Sequence, residues 1–85
     1  MSQDPINNSR LLWRCRRGIR EMDLLLENFM EYHYLDLPET DKQVFETFLD
    51  ETDPDIMNWI TGRTTPGNNR YETIIRILQT MNRET

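Results

Sequence analysis

Chemistry on this chain concentrates in one stretch, Arg14-Cys15-Arg16-Arg17-Gly18-Ile19-Arg20-Glu21. It holds four of the ten basic residues and one of the three glycines. Guanidinium groups bind carboxylates and phosphates through paired, coplanar N–H donors, so the cluster reads as a docking point for an acidic group or a phosphate. The missing side chain at Gly18 lets a partner's backbone come close. Trp13, one helical turn before Arg16 and Arg17, extends the patch, and tryptophan, tyrosine and arginine dominate protein–protein hot spots. The same residues also read as a helix–helix corner. In that case Gly18 supplies a positive φ or a close approach, Arg17 pairs locally with Glu21, and Trp13 caps the core. The pattern leaves both readings open.

The remaining chemistry is sparse. His33 is the single histidine and stands between Tyr32 and Tyr34 in an apolar helical pattern, a setting that packs a side chain more often than it builds a base. Cys15 is the single cysteine, so neither an internal disulfide nor a cysteine zinc site can form. Neighbouring Arg14 and Arg16 would lower its thiol pKa, whereas a place in an apolar stripe would make it a small buried hydrophobe. The second reading is preferred. No phosphate-binding glycine loop or dinucleotide fingerprint is present. Asp50, Glu51, Asp53 and Asp55 lack the ligand spacing of a calcium loop. An enzyme, a metal protein and a tight cofactor carrier are therefore all disfavoured.

These residues must be positioned by a small body. Eighty-five residues make one domain with a thin core, 36% apolar and 29% charged. Net charge is -5, and it is unevenly spread. Residues 1–20 carry five arginines against Asp4, residues 21–59 carry twelve carboxylates against Lys42, and residues 60–85 carry four arginines against two glutamates. The arginine cluster is thus a local feature on an acidic protein, which argues against a nucleic-acid partner. The polar opening, Met1 to Arg10, has no apolar core of a signal peptide, and no run approaches the roughly 18 apolar residues that span a bilayer. The expectation is a soluble cytoplasmic protein, complete as it stands, with no membrane insertion.

Periodicity predicts an all-α fold, a five-helix bundle over residues 7–85 behind a flexible leader at 1–6. Asn7, Asn8 and Ser9 are the expected N-caps of the first helix, whose inner stripe is Leu11, Leu12, Cys15 and Ile19. Met22, Leu25, Leu26, Phe29 and Met30 continue the pattern to about residue 34. As one helix, residues 9–34 would run about 39 Å, too long for a chain whose expected radius of gyration is about 12 Å. Gly18 is the natural break. Residues 35–38 connect to a third helix with Val44, Phe45, Phe48 and Leu49 inward. In the fourth, Asp53 caps, Pro54 opens the first turn, Ile56, Trp59 and Ile60 face in, and Gly62 ends it. A turn-rich loop at 64–69 leads to a fifth helix from about Arg70 to Arg83, with Tyr71, Ile74, Ile75, Leu78 and Met81 inward.

Arg17-Gly18-Ile19-Arg20-Glu21 matches an R-G-x-x-E signature. With Trp13-x-Cys15-Arg16, Glu21-x-Asp23, Phe29, Asp53-Pro54-Asp55 followed by Asn58-Trp59, and Arg76-Ile77-Leu78-Gln79-Thr80 followed by Asn82-Arg83, the chain resembles the small flavinylation factors of succinate dehydrogenase. Bacterial members of that family are also called YgfY-like proteins or the antitoxin CptB. The resemblance spans about residues 7–84; family members carry Met where this chain has Ile19. It implies an all-helical, cytoplasmic assembly factor, not itself an enzyme, that binds the flavoprotein subunit of succinate dehydrogenase, and of fumarate reductase, and promotes covalent FAD attachment. FAD would be the client's cofactor, with none held stably by the factor. The implied partner-binding residues are Arg17, Gly18 and Glu21, with Arg16, Asp23 and Trp13 beside them. An antitoxin-type interaction protein and a weak flavin carrier that holds a pyrophosphate on its N-terminal arginines are the alternatives.

Overall fold

The computed structural model describes residues 5–67 and 69–84. It has five helices: α1 Pro5–Arg14, α2 Arg20–Tyr32, α3 Glu39–Phe48, α4 Asp53–Ile60 and α5 Glu72–Glu84, with a single 3₁₀ turn at Tyr34–Asp36 between α2 and α3. No strand occurs among the described residues. The radius of gyration is 12.2 Å, as a compact chain of this length requires.

The ends of the helices follow their local chemistry, with some shifts from expectation. α1 is helical from Pro5, the first described residue, so Asn7, Asn8 and Ser9 lie inside the helix and not at its cap. Two residues of the expected leader, Pro5 and Ile6, are helical; residues 1–4 lie outside the described part. α2 stops at Tyr32, and Leu37 is extended ahead of Pro38 with ψ 146°, as the proline demands. The cap of α4 is Thr52, whose hydroxyl accepts from the Asp55 N–H at 3.3 Å. Asp53 sits one residue later, at the first helical position, and its carboxylate is free to act elsewhere. Gly62 closes α4 at φ 80°. Its N–H reaches Trp59 O at 3.2 Å and the Arg63 N–H reaches Asn58 O at 2.9 Å, the paired bonds of a Schellman motif. The fifth helix starts at Glu72, two residues later than expected.

Every helix faces one core. Phe29, Phe45, Phe48, Met22, Leu26, Ile56, Ile74 and Leu78 are fully buried. Aromatic rings run through it: Phe29 stacks on Phe45 at 4.6 Å, Phe48 meets Tyr71 edge-on at 5.2 Å, and Trp59 lies 5.8 Å from Tyr71. Burying a large apolar side chain contributes about 1.5–3 kcal/mol, so this cluster dominates stability. From residues 9–15, Leu11 and Cys15 join the buried set. Leu12, expected inside, is 41% exposed, because the inward face is already met by Leu11 and Cys15 on the same stripe. Val44 and Met81 pack against the core from half-buried positions.

Candidate functional site

Between α1 and α2 the chain turns through Cys15–Ile19. Gly18 has φ 91°, in the left-handed region that an L side chain resists. A Cβ built there would meet nothing within 4 Å. The glycine is thus demanded by the backbone turn and not by crowding inside the molecule, and its open face is turned to solvent. Asp23, on the first turn of α2, holds the corner from beneath. One carboxylate oxygen accepts from the Arg17 N–H at 2.8 Å, the other from the Gly18 N–H at 3.2 Å.

Arg17 points inward. Its Nε donates to the Asp53 carboxylate, its Nη1 to Leu49 O at 2.8 Å and Arg14 O at 3.4 Å, and its Nη2 to Glu51 O at 2.7 Å. Leu49 caps the C-terminus of α3 and Asp53 is the first residue of α4. The guanidinium therefore lies where α3 leaves unpaired carbonyls and a negative dipole end, and where α4 places a carboxylate. The expected Arg17–Glu21 pair does not form. Arg14 reinforces the same junction through Glu46 O at 3.1 Å and the Asp50 carboxylate.

The groups left outward are Arg16, Arg20 and Glu21, all exposed. Arg16 approaches Glu27 at 3.6 Å, a weak exposed pair, and its guanidinium lies 5.9 Å from the Trp13 ring centroid. Trp13 is 73% exposed, so it extends the surface patch and does not cap the core. Of the six residues singled out in the sequence, Trp13, Arg16, Gly18 and Glu21 are exposed, with Arg16 beside the Trp13 ring, while Arg17 and Asp23 are half-buried and hold the turn by hydrogen bonds. Periodicity could not find Asp53 in this role, because its partner is 36 positions away. Local sequence suggested a cap, and the D-P-D motif was its only signal.

Cys15, at the start of the turn, is fully buried. Burial pushes the Cys15 thiol up to about 12, helped by Glu27 and opposed by Arg17 and Arg14. The desolvation outweighs the arginines, and the thiol is a core side chain. His33 packs beside Phe29 with ring centroids 6.0 Å apart. Among the described residues no group of three or more His, Cys, Asp or Glu side chains could hold a metal ion, and no helix is long and apolar enough to cross a membrane. The donors of Arg17 that a pyrophosphate would use are already taken by protein oxygens.

Comparison with known proteins narrows the meaning of this corner. Residues 9–82 match the Sdh5 family, flavinator of succinate dehydrogenase. The FAD assembly factor SdhE of Coxiella burnetii is 37% identical over 76 residues, which is 89% of this chain and 93% of that protein. Its namesake from Pectobacterium atrosepticum is 37% identical over 78 residues, 92% of this chain and 89% of the relative. Among solved structures, the solution structure of a UPF0350 protein superposes with TM-score 0.82 at 26% identity, covering 96% of this chain and 87% of the other. A match across nearly the whole of the helical body, signature corner included, means that the chain belongs to the family of succinate dehydrogenase flavinators.

Proposed function

We propose that this protein binds the flavoprotein subunit of succinate dehydrogenase through the α1–α2 corner and promotes covalent attachment of FAD there. The observation that carries this reading is the corner itself. A glycine backbone stands open to solvent at φ 91° with no neighbour at its missing Cβ, flanked by exposed Arg16, Arg20 and Glu21 and extended by Trp13. Such a surface admits a partner's backbone and offers charge of both signs at its rim. Its family and relatives bear names that tie them to FAD assembly and succinate dehydrogenase.

In this reading the bond to the flavin is made by the client. The factor supplies shape. A partner that binds one arrangement of the client more tightly than the others raises that arrangement's population. In the proposed complex the selected arrangement is the one that sets flavin and acceptor side chain together. In this reading the factor acts in the cytoplasm, and the flavoprotein of fumarate reductase is a second client of the same kind.

The test is flavinylation of the purified apo-flavoprotein with FAD, read as covalent flavin fluorescence in a denaturing gel, with and without the factor. The wild-type factor raises the covalent signal, and Glu21→Ala and Trp13→Ala reduce that gain while remaining folded by circular dichroism. Gly18→Arg abolishes it, with Gly18→Ala separating backbone strain from the added bulk. Unchanged covalent flavin with every corner variant would sink the docking face. An equal signal with no factor at all would sink the function.

A further inference from the structure

We infer that Asp53, acting through Arg17, is a positioning residue for the corner that docks the client, although it lies at the start of α4 and outside the signature. The inference rests on the docking reading above and adds how that surface is held in shape.

Two observations carry it. First, among the described side chains of α1, those of residues 9–14, Leu11 is the one that is buried, with Cys15 just beyond the helix end. The path of the chain from α1 into Gly18 is tied down by arginines. Arg14 reaches Glu46 O and Asp50, and Arg17 reaches Leu49 O, Glu51 O and Asp53. Second, Arg17 is gripped at both ends. Its side chain is fastened to the α3–α4 junction, while its own N–H and that of Gly18 are fastened to Asp23 on α2. The peptide between Arg17 and Gly18 is therefore fixed from two sides, and the surface that Gly18, Arg16 and Glu21 present follows from that fixation. Asp53 supplies the only side-chain carboxylate among the described partners of the Arg17 guanidinium; the others are backbone carbonyls. The side chain of Arg17 is 15% exposed and that of Asp53 33%. The pair is shielded enough to hold a geometry, and most of the Arg17 guanidinium's hydrogen bonds are spent inside the molecule.

A lysine cannot replace this arginine. Its ammonium is a point charge without the planar fork, and it cannot address Asp53, Leu49 O and Glu51 O in one plane. Positioning, more than charge, is what the site asks of residue 17.

The experiment compares Asp53→Asn, Arg17→Lys, Arg17→Gln and the double variant Arg17→Gln/Asp53→Asn in the full chain. Two readouts are taken: the amide resonance of Gly18, readily assigned because the chain has three glycines, and affinity for the apo-flavoprotein at matched folded fraction. Each single variant is expected to move the Gly18 resonance and to weaken client binding roughly tenfold. The double variant should be no worse than the worse single one, as for two residues acting through one contact. A purely structural pair would lower the melting temperature yet leave the Gly18 resonance in place and binding per folded molecule intact; that result overturns the inference. Glu21→Ala keeps the two ideas apart. If it, Trp13→Ala and Gly18→Arg all leave binding intact while Asp53→Asn still moves Gly18, the positioning stands and the docking reading fails. If Glu21→Ala weakens binding while Asp53→Asn changes neither readout, the docking reading stands and the positioning fails.

Discussion

Where α4 and the start of α5 meet α3, Phe48, Trp59 and Tyr71 lie ring against ring at 5.2–6.0 Å, so apolar contact predominates. At the α1–α2 corner the proportions are reversed. There the chain is held by carboxylates and carbonyls: Asp23 beneath two backbone N–H groups, and Asp53, Leu49 O and Glu51 O around one guanidinium. Apolar burial is large and non-directional, and it tolerates small shifts. Charge-assisted hydrogen bonds add less net free energy, but they fix direction. The difference teaches that one set of contacts secures the fold while a neighbouring set secures a surface. Stability and function are then separable by mutation.

The first way to break that comparison is Phe48→Ala. Truncating a buried phenylalanine costs about 3–5 kcal/mol, a large share of the 5–15 kcal/mol typical of a domain. Thermal melts followed by circular dichroism should show the chain largely unfolded near physiological temperature. A well-folded variant would mean that the aromatic run is not the main source of stability.

Alkali probes the same region through Tyr71. Its hydroxyl donates to Glu51 at 2.7 Å, and burial, followed by that bond, raises its pKa from 10.0 to about 12. Deprotonation is thus harder in the folded chain than in the unfolded one. Between those two values the unfolded state has given up its proton while the native state keeps it, so stability falls as pH rises through the window. The shift corresponds to about 2–3 kcal/mol at the top of the window. Cys15, also raised to about 12 from 9.0, adds a loss that begins one unit lower. Chemical denaturation as a function of pH should show the decline above about pH 9, and Tyr71→Phe should flatten its upper part. A wild-type stability independent of pH between 9 and 12 would contradict both shifts.

The corner should answer differently. Trp13→Ala removes a ring that is 73% exposed, so its stability cost should stay within about 0.5 kcal/mol. Its cost to client binding should be about 2 kcal/mol if Trp13 is an anchor of the interface. Isothermal titration alongside a melt separates the two. Equal losses in both would erase the distinction between the two regions.

Gly18→Ala is the finest probe. With open space around it and φ 91°, the change adds backbone strain without a clash, a cost of roughly 1–2 kcal/mol. Gly18→Asn should cost less, since asparagine visits the left-handed region more readily. If alanine and asparagine proved equally neutral in urea unfolding, the turn would not need its positive φ, and the glycine would be there for the partner alone.

Much of the fold was legible in the residue order because the relevant interactions are local. The 3.6-residue spacing of Met22, Leu25, Leu26 and Phe29 marks the inner face of α2, Gly62 closes α4 by a motif confined to Asn58–Arg63, and the length argument places a break at Gly18. The same locality explains the errors. Asp53 has the chemistry of a cap and stands one residue from the true cap, Thr52. Leu12 shares the apolar type of its neighbour Leu11, but a helix with one narrow contact buries only one of them. Glu21 lies four residues after Arg17, the usual spacing of a helical pair, yet the chain is not helical between Cys15 and Ile19.

By itself, the sequence determined an all-helical domain, a chain broken at Gly18, an acidic body with a basic local stretch, and membership in a family through residues spread over most of its length. Those follow from periodicity, backbone sterics and residue identity, all of which act over a few positions or need no contact at all. Only the tertiary structure decided that Arg17 faces inward and Arg16 outward, that Asp53 and not Glu21 takes the guanidinium, and that Gly18 is open to solvent. These depend on where α3 ends and α4 begins relative to the corner, a relation between segments more than thirty residues apart that the packing of the aromatic core sets.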